Sequence, residues 1–117
     1  MMRDHTKLRA FELADEVALI IYKFTLGFPR EEQFGLTSQM RRAAVSVPSN
    51  IVEGCGRQSE ADFVRFLDIA YGSLREVEYQ TSLATRLGFA TENSELKAKL
   101  TETSKLLAAL IRSIRKS

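Results

Sequence analysis

The segment RRAAVSVPSNIVEGCGR, residues 41–57, places a row of polar side chains beside an apolar helix face. Its serines and asparagine form helices poorly, whereas a merely solvated helix face is usually built from Glu and Lys. The spacing therefore indicates hydrogen-bond chemistry along one side of a helix. The members of this row recur every three or four positions: Gln39, Arg42, Ser46, Ser49, Asn50, Glu53 and Arg57.

Two interpretations of this polar row stay open. In the first, it is a structural network or a subunit contact formed by Gln39, Ser46, Pro48, Asn50 and Glu53. A single hydrogen-bonded network near Pro48 is then expected among Arg41, Arg42, Asn50, Glu53 and Arg57. In the second, the row is a solvated face whose Glu53–Arg57 ion pair contributes about 0.3 to 0.5 kcal/mol.

Pro48 stands in the middle of the same segment. A proline has no N–H to donate to the carbonyl of Ala44, and its ring crowds that carbonyl. The sequence thus predicts a kink in this helix at Pro48, at a cost of about 3 kcal/mol before compensation.

Residue types for the common catalytic sets are scarce. His5 is the only histidine and Cys55 the only cysteine, so a zinc site with several His or Cys ligands cannot form and a Ser-His or Cys-His pair is not expected. The glycines of EGCGR lack the lysine and Ser/Thr of a phosphate-binding loop, and they indicate the end of a helix instead. We expect no enzyme activity, no metal and no cofactor.

The distribution of cations is more informative than their number. The chain has 17 Lys and Arg against 15 Asp and Glu, a balance too even to indicate nucleic-acid binding. No acidic residue follows Glu102, so the last helical turns are basic. These cations either stabilise a helix C-terminus or contact phosphates. The candidate nucleic-acid-binding residues are Arg41, Arg42, Arg57, Arg112, Arg115 and Lys116.

Four segments that show the apolar spacing of a helix position these residues. The sequence predicts helices near residues 7–26, 36–54, 60–87 and 93–115. Their similar lengths and short connections favour an all-α, antiparallel up-down-up-down four-helix bundle, formed as a single domain over residues 1–117. The expected helix stops are Gly27, Gly54 with Gly56, and Gly88, and the expected starts are Thr37, Ser59, and Thr91 or Asn93.

Gly72 lies in the middle of the third predicted helix. A glycine there costs roughly 1 kcal/mol of helix propensity relative to alanine. We expect the close approach of a neighbouring helix to offset this cost.

The remaining composition bears on the compartment. A lone cysteine allows no intramolecular disulfide, and acidic residues interrupt the N-terminus where a signal peptide needs an apolar run. The longest apolar stretch, residues 17–22, is too short to cross a bilayer. We expect a cytoplasmic protein without membrane contact.

The segment FGLTSQMRRAAVSVPSNIVEGCGR, together with FVRFLDIAYGSLREVE, closely resembles the bacterial four helix bundle protein family. Members of this family were first recognised as products of intervening sequences in large-subunit ribosomal RNA genes. The similarity runs from Phe28 through Leu87, while the first and fourth helices look generic. Val52 and Cys55 depart from the usual family residues, and both changes are conservative.

The resemblance implies a left-handed bundle that assembles as a ring-like homo-oligomer of five subunits. It also implies kinship with accessory proteins of diversity-generating retroelements, which bind a reverse transcriptase and RNA. On this basis we expect a non-enzymatic module that binds RNA or DNA through basic side chains, with a nucleic-acid enzyme as a further partner. The alternative is a structural or protein-interaction scaffold with no nucleic-acid role.

Overall fold

The computed structural model describes residues 2–116 and contains four long helices. These are α1 (Arg9–Phe24), α2 (Leu36–Cys55), α3 (Glu60–Arg86) and α4 (Ser94–Lys116). Two short 3₁₀ turns, His5–Lys7 and Arg30–Glu32, precede α1 and α2, and no strand occurs within residues 2–116. The expected all-α class with four helices is confirmed.

Each helix packs against two others. The contacting pairs are α1 with α2, α2 with α3, α3 with α4, and α4 with α1, and the α2–α3 pair is the most extensive. Within residues 2–116, the diagonal pairs α1–α3 and α2–α4 do not come close. The result is a compact four-helix arrangement of 45 × 24 × 19 Å, whose antiparallel order and left-handed twist stay predictions.

The apolar spacing of α3 and α4 predicts most of the core correctly. In α3 the buried row is Phe63, Leu67, Ala70, Leu74, Val77 and Ala84. Alternating steps of four and three residues also predict Thr81 in this row, but Thr81 is only half-buried and Gln80 is buried beside it instead. In α4 the same spacing predicts Leu110 after Leu107, but the buried residue is Ile111. An α-helix turns every 3.6 residues, so a seam written with a period of 3.5 drifts by about 20° per heptad.

Side chains decide where the helices begin. Ser59 Oγ accepts a hydrogen bond from the Asp62 N–H at 3.1 Å, and Asn93 Oδ1 accepts one from the Leu96 N–H at 3.0 Å, as expected of N-caps. Thr37 is not the N-cap of α2, since that helix begins at Leu36, whose N–H donates to Glu32 Oε1 at 3.0 Å.

Helix ends follow the expected glycines only in part. Gly88 ends α3 with a φ of 79°, the left-handed conformation that favours glycine. α1 ends at Phe24, before Gly27, and the hydroxyl of its C-cap residue Thr25 donates to the carbonyls of Ile21 and Tyr22.

Gly72 does not have the role expected from the sequence. It is exposed, and a Cβ built on it would meet no described atom within 4 Å. The neighbouring Ser73 makes the close contact with α2 instead. The helix-propensity cost of Gly72, roughly 1 kcal/mol relative to alanine, is thus not offset by packing among the described residues.

Candidate nucleic-acid interface

A small polar cluster joins α2 to α3 beside Pro48. The hydroxyl oxygens of Ser46 and Ser73 lie 2.9 Å apart and share one hydrogen bond. Asn50 Nδ2 donates to the Ser46 carbonyl at 2.8 Å and to Ser46 Oγ at 2.9 Å. We call Ser46, Asn50 and Ser73 the serine–asparagine cluster; it gives the polar row a structural role at the helix–helix contact.

Pro48 is buried within α2, which remains helical from Leu36 to Cys55. Its nitrogen cannot donate to the Ala44 carbonyl. The serine–asparagine cluster supplies side-chain hydrogen bonds within the same turns of the helix. The kink at Pro48 stays a prediction.

The prediction of a single network around Pro48 is wrong, because its five predicted members are not all joined to one another. Arg41 turns toward α1, where its Nε donates to Thr25 Oγ1 at 2.8 Å and its guanidinium lies 4.7 Å from the Tyr22 ring centroid. Arg57 instead pairs with Glu53 at 2.7 Å. Helical spacing shows which residues lie on the same side of a helix. It does not show which neighbouring helix a long arginine side chain contacts.

The remaining candidates of α2 lie at the surface. Gln39 and Arg42 are exposed, and the Glu53–Arg57 pair is exposed as well. The Arg57 guanidinium also lies 4.7 Å from the centroid of the Phe66 ring. The part of the polar row that contains Glu53 and Arg57 is therefore a solvated face, as in the second interpretation of the sequence.

Gly54 allows α2 and α3 to approach closely. A Cβ at this position would lie 3.0 Å from Phe66 Cβ, 3.1 Å from Phe63 Cδ1 and 3.2 Å from the Phe63 carbonyl oxygen. Of the two glycines expected to end this helix, Gly56 does so as its C-cap, whereas Gly54 lies inside α2, which continues to Cys55. Gly54 is required for space and not for its backbone conformation.

The N-terminal segment and the end of α4 are held against the first part of α3. The Arg3 N–H donates to the Cys55 carbonyl at 2.8 Å, and its side chain pairs with Glu60 at 3.1 Å over the Phe63 ring. Arg115 pairs with Asp68 of α3. These contacts bring the basic last turns of α4 to the end of the bundle that carries the α2–α3 turn, and we call this the basic end.

Some cations of the basic end form no ion pair among the described residues. Arg57 and Arg115 are each paired with a carboxylate. Lys7, Arg112 and Lys116 are exposed and form no ion pair within residues 2–116. Lys7 is not among the candidates predicted from the sequence; it lies in the turn His5–Lys7, which contacts α1 and α2.

The six candidates are not brought together into one patch. Arg42 and Arg57 lie about 20 Å apart along α2, at 1.5 Å per residue. Arg41 is occupied by its hydrogen bond to Thr25. Arg112 and Lys116 remain accessible at the basic end, where Arg115 and Arg57 lie in ion pairs.

A groove between α1 and α2 exposes apolar side chains. Its floor includes the buried Ala18 and Pro48, and Asp15 and Ser49 also line it. The large exposed apolar residues along it are Leu19, Tyr22, Val45 and Val52, and we call this surface the α1–α2 groove. The spacing of Val45 and Val52, seven residues apart on the outer side of α2, was the available sequence signal.

Cys55 and the acidic side chains are the groups that could take part in thiol or metal chemistry. Cys55 is buried, and desolvation by burial raises the pKa of its thiol, which disfavours the nucleophilic thiolate. Between Met2 and Lys116, no three His, Cys, Asp or Glu side chains are grouped so that they could hold a metal ion. No helix in that range has both the length and the apolar content needed to cross a bilayer.

The serine–asparagine cluster makes a testable contribution to stability. We expect Asn50→Ala to lower the free energy of unfolding by about 1 kcal/mol, because Ser46 loses its side-chain donor at a half-buried site. Urea unfolding at fixed protein concentration would measure this difference. Gln39→Ala, at an exposed position of the same polar row that does not line the α1–α2 groove, is the control. Equal effects of the two changes would mean that the serine–asparagine cluster contributes no more to stability than a solvated face does.

The structure has four long helices, a hydroxyl–amide cluster between α2 and α3, and a basic end. It is therefore a four-helix protein, the class that the sequence predicts. The chain belongs to the 23S rRNA-intervening sequence protein family, whose model matches residues 6–109. The resemblance noted in the sequence is thereby confirmed. Arg112, Arg115 and Lys116 lie beyond the matched range, so these cations are features of this chain outside the family model.

A solved structure shares the fold. It is a protein of unknown function from the S23 ribosomal protein family of Bacteroides thetaiotaomicron VPI-5482. The two chains are 30% identical and align with a TM-score of 0.77 over 88% of this chain and 95% of the other. No curated protein matches the sequence.

Proposed function

We propose that this protein is a non-enzymatic, homo-oligomeric module that binds the phosphate backbone of RNA or DNA through its basic end. The observation that carries the proposal is the accessibility of Lys7, Arg112 and Lys116, which form no ion pair among the described residues. Unpaired surface cations gain most from a polyanion, because phosphate contacts release the counterions condensed on it.

The proposed assembly is supported by the α1–α2 groove. Leu19 is 59% exposed and Tyr22 44% exposed on a groove that also carries Val45 and Val52. Exposed apolar surface gathered in one place is typical of an interaction site. We propose that it is covered in a homo-oligomer, with five subunits as the resemblance implies.

The proposed arrangement of each subunit is antiparallel and left-handed. Arg41, near the start of α2, contacts Tyr22 and Thr25 at the end of α1, whereas Cys55, at the end of α2, accepts a hydrogen bond from Arg3, which precedes α1. The two helices therefore run in opposite directions in this proposal. The contacts of Gly54 with Phe63 and of Ser46 with Ser73 have the same relation across α2 and α3. The seams of α3 and α4 favour left-handed packing.

Cyclic assembly would strengthen weak phosphate contacts. In a ring whose axis runs along the bundles, every basic end lies on the same face of the ring. Several weak sites that engage one polyanion together bind it far more tightly than one site does. We therefore propose action in the cytoplasm on nucleic acid, with a nucleic-acid enzyme as a second partner.

The binding proposal is tested by titrating labelled structured RNA and duplex DNA at about 50 and 200 mM salt. We expect binding to at least one of them, with affinity that falls steeply between the two salt concentrations. Light scattering on the same samples should give a mass several times 13.2 kDa.

The second candidate function is a protein-interaction scaffold. It is favoured by the internal engagement of Arg41, Arg57 and Arg115, which leaves fewer cations for phosphate than the sequence suggests. An intact oligomer that binds neither nucleic acid at tens of micromolar would support the scaffold and contradict nucleic-acid binding.

A further inference from the structure

Gly72 is an exposed glycine within the 27-residue helix α3. Its φ is not positive, so no special backbone conformation requires glycine there. No described atom lies within 4 Å of a Cβ at this position, so no close approach within the subunit requires it either. The remaining physical use of glycine is to let another backbone or a large side chain approach from outside.

The surface around Gly72 carries large apolar side chains. Ile69 and Tyr79 lie on the same outward side of α3 and are 46% and 60% exposed. They stand on either side of Gly72, at helical spacing, with Glu76 between Gly72 and Tyr79. We call Ile69, Gly72, Glu76 and Tyr79 the α3 stripe: two apolar projections with a low point between them.

The α3 stripe and the α1–α2 groove overlap in height on different sides of the molecule. Ser46 relates them, since its hydroxyl contacts Ser73, next to Gly72, while its neighbour Val45 lines the groove. From Ile69 to Tyr79 the stripe extends about 15 Å, and from Phe11 to Tyr22 the groove extends about 16 Å, at 1.5 Å per helical residue.

We propose that the α3 stripe of one copy seats in the α1–α2 groove of the next copy. This inference rests on the homo-oligomer of the proposed function and assigns its contact surfaces. Two different surfaces make a heterologous contact, which closes into a ring when the rotation between neighbours permits. Because the stripe and the groove overlap in height, neighbouring bundles can stand side by side in a ring.

Charges along the two surfaces are complementary. Asp15 and Arg42 are exposed on the groove side and form no ion pair between Met2 and Lys116. The stripe carries Glu76, and Arg75 beside it is 62% exposed despite its contact with Glu78. Each exposed charge of the groove thus has a candidate of opposite sign on α3.

Gly72→Gln tests the contact. Glutamine is a good helix former and has open space in the subunit, so helicity measured by circular dichroism should be retained or increase. In the assembly the side chain would occupy the low point of the stripe. We expect the dissociation constant of the oligomer, measured by sedimentation over a range of concentrations, to rise tenfold or more.

Two further variants complete the experiment. Ala109→Gln introduces the same side chain at an exposed position of α4, away from both surfaces, and should leave association unchanged. Leu19→Gln, in the groove, should weaken association as Gly72→Gln does. A wild-type protein that is monomeric at all concentrations would overturn the oligomer and this inference together. An oligomer that tolerates Gly72→Gln as well as Ala109→Gln would overturn the inference and leave the oligomer standing.

Discussion

Gly54→Leu is expected to lower the free energy of unfolding by roughly 2 to 3 kcal/mol, the upper part of the range for overpacked cores. The new side chain would start 3.0 Å from Phe66 Cβ and 3.2 Å from the Phe63 carbonyl oxygen. α2 and α3 would have to move apart at their most extensive contact. Urea unfolding followed by circular dichroism at one fixed protein concentration would measure the change, because association also affects apparent stability.

Gly56→Leu is the matched control for this prediction. Gly56 lies two residues further along, is exposed, and has a φ of −82° that any residue adopts. A Cβ there would come no closer than 3.6 Å to a neighbouring atom. We expect a change within about 0.5 kcal/mol, as for ordinary surface substitutions. Equal destabilisation by the two substitutions would show that the close approach of α2 and α3 is not what requires glycine at residue 54.

Removing the unpaired cations of the basic end should weaken nucleic-acid binding by tenfold or more at low salt. The variant combines Lys7→Gln, Arg112→Gln and Lys116→Gln. Each cation that no longer neutralises a phosphate of duplex DNA should reduce the slope of log K against log salt by about 0.9. Fluorescence anisotropy with labelled duplex DNA and structured RNA over a salt series would give both the affinity and the slope.

A second variant separates local contact from overall charge. Lys23→Gln, Arg30→Gln and Lys97→Gln remove three cations where α1 ends and α4 begins, away from the basic end. Both variants change the net charge from +2 to −1, because each replaces three cations by neutral residues. Binding that weakens equally in the two variants would indicate a general charge effect and would contradict a site at the basic end.

The core was predictable because burial on a helix follows a simple period. The row from Phe63 to Ala84 could be written from the sequence, and its errors are small rotations, such as Gln80 for Thr81 and Ile111 for Leu110. Local caps were predictable for the same reason: Ser59 and Asn93 hydrogen-bond within their own helical turn. Both kinds of prediction depend on residues close together in the sequence.

The candidate site was harder to predict because its contacts join distant residues. The sequence places Ser46 and Asn50 on one side of α2, but it does not indicate that Ser73 faces them. Arg41 and Arg42 are adjacent, yet their surroundings differ. Arg41 donates hydrogen bonds to Thr25 and to the carbonyl of Tyr22 at the end of α1, whereas Arg42 is exposed. Arginine has a long side chain with several rotatable bonds, so its partner depends on packing that local spacing does not specify.

The contacts of Gly54 also have an evolutionary consequence. The atoms nearest to its missing Cβ include the Cβ of Phe66 and the main-chain carbonyl oxygen of Phe63. Every residue has that carbonyl oxygen and every residue except glycine has a Cβ, so no substitution at Phe63 removes the oxygen and only glycine at position 66 removes the Cβ. Ser46 and Ser73, by contrast, meet only through their hydroxyls and could be exchanged together for another matched pair. Among relatives with this fold, we therefore expect residue 54 to stay constant while residues 46 and 73 covary.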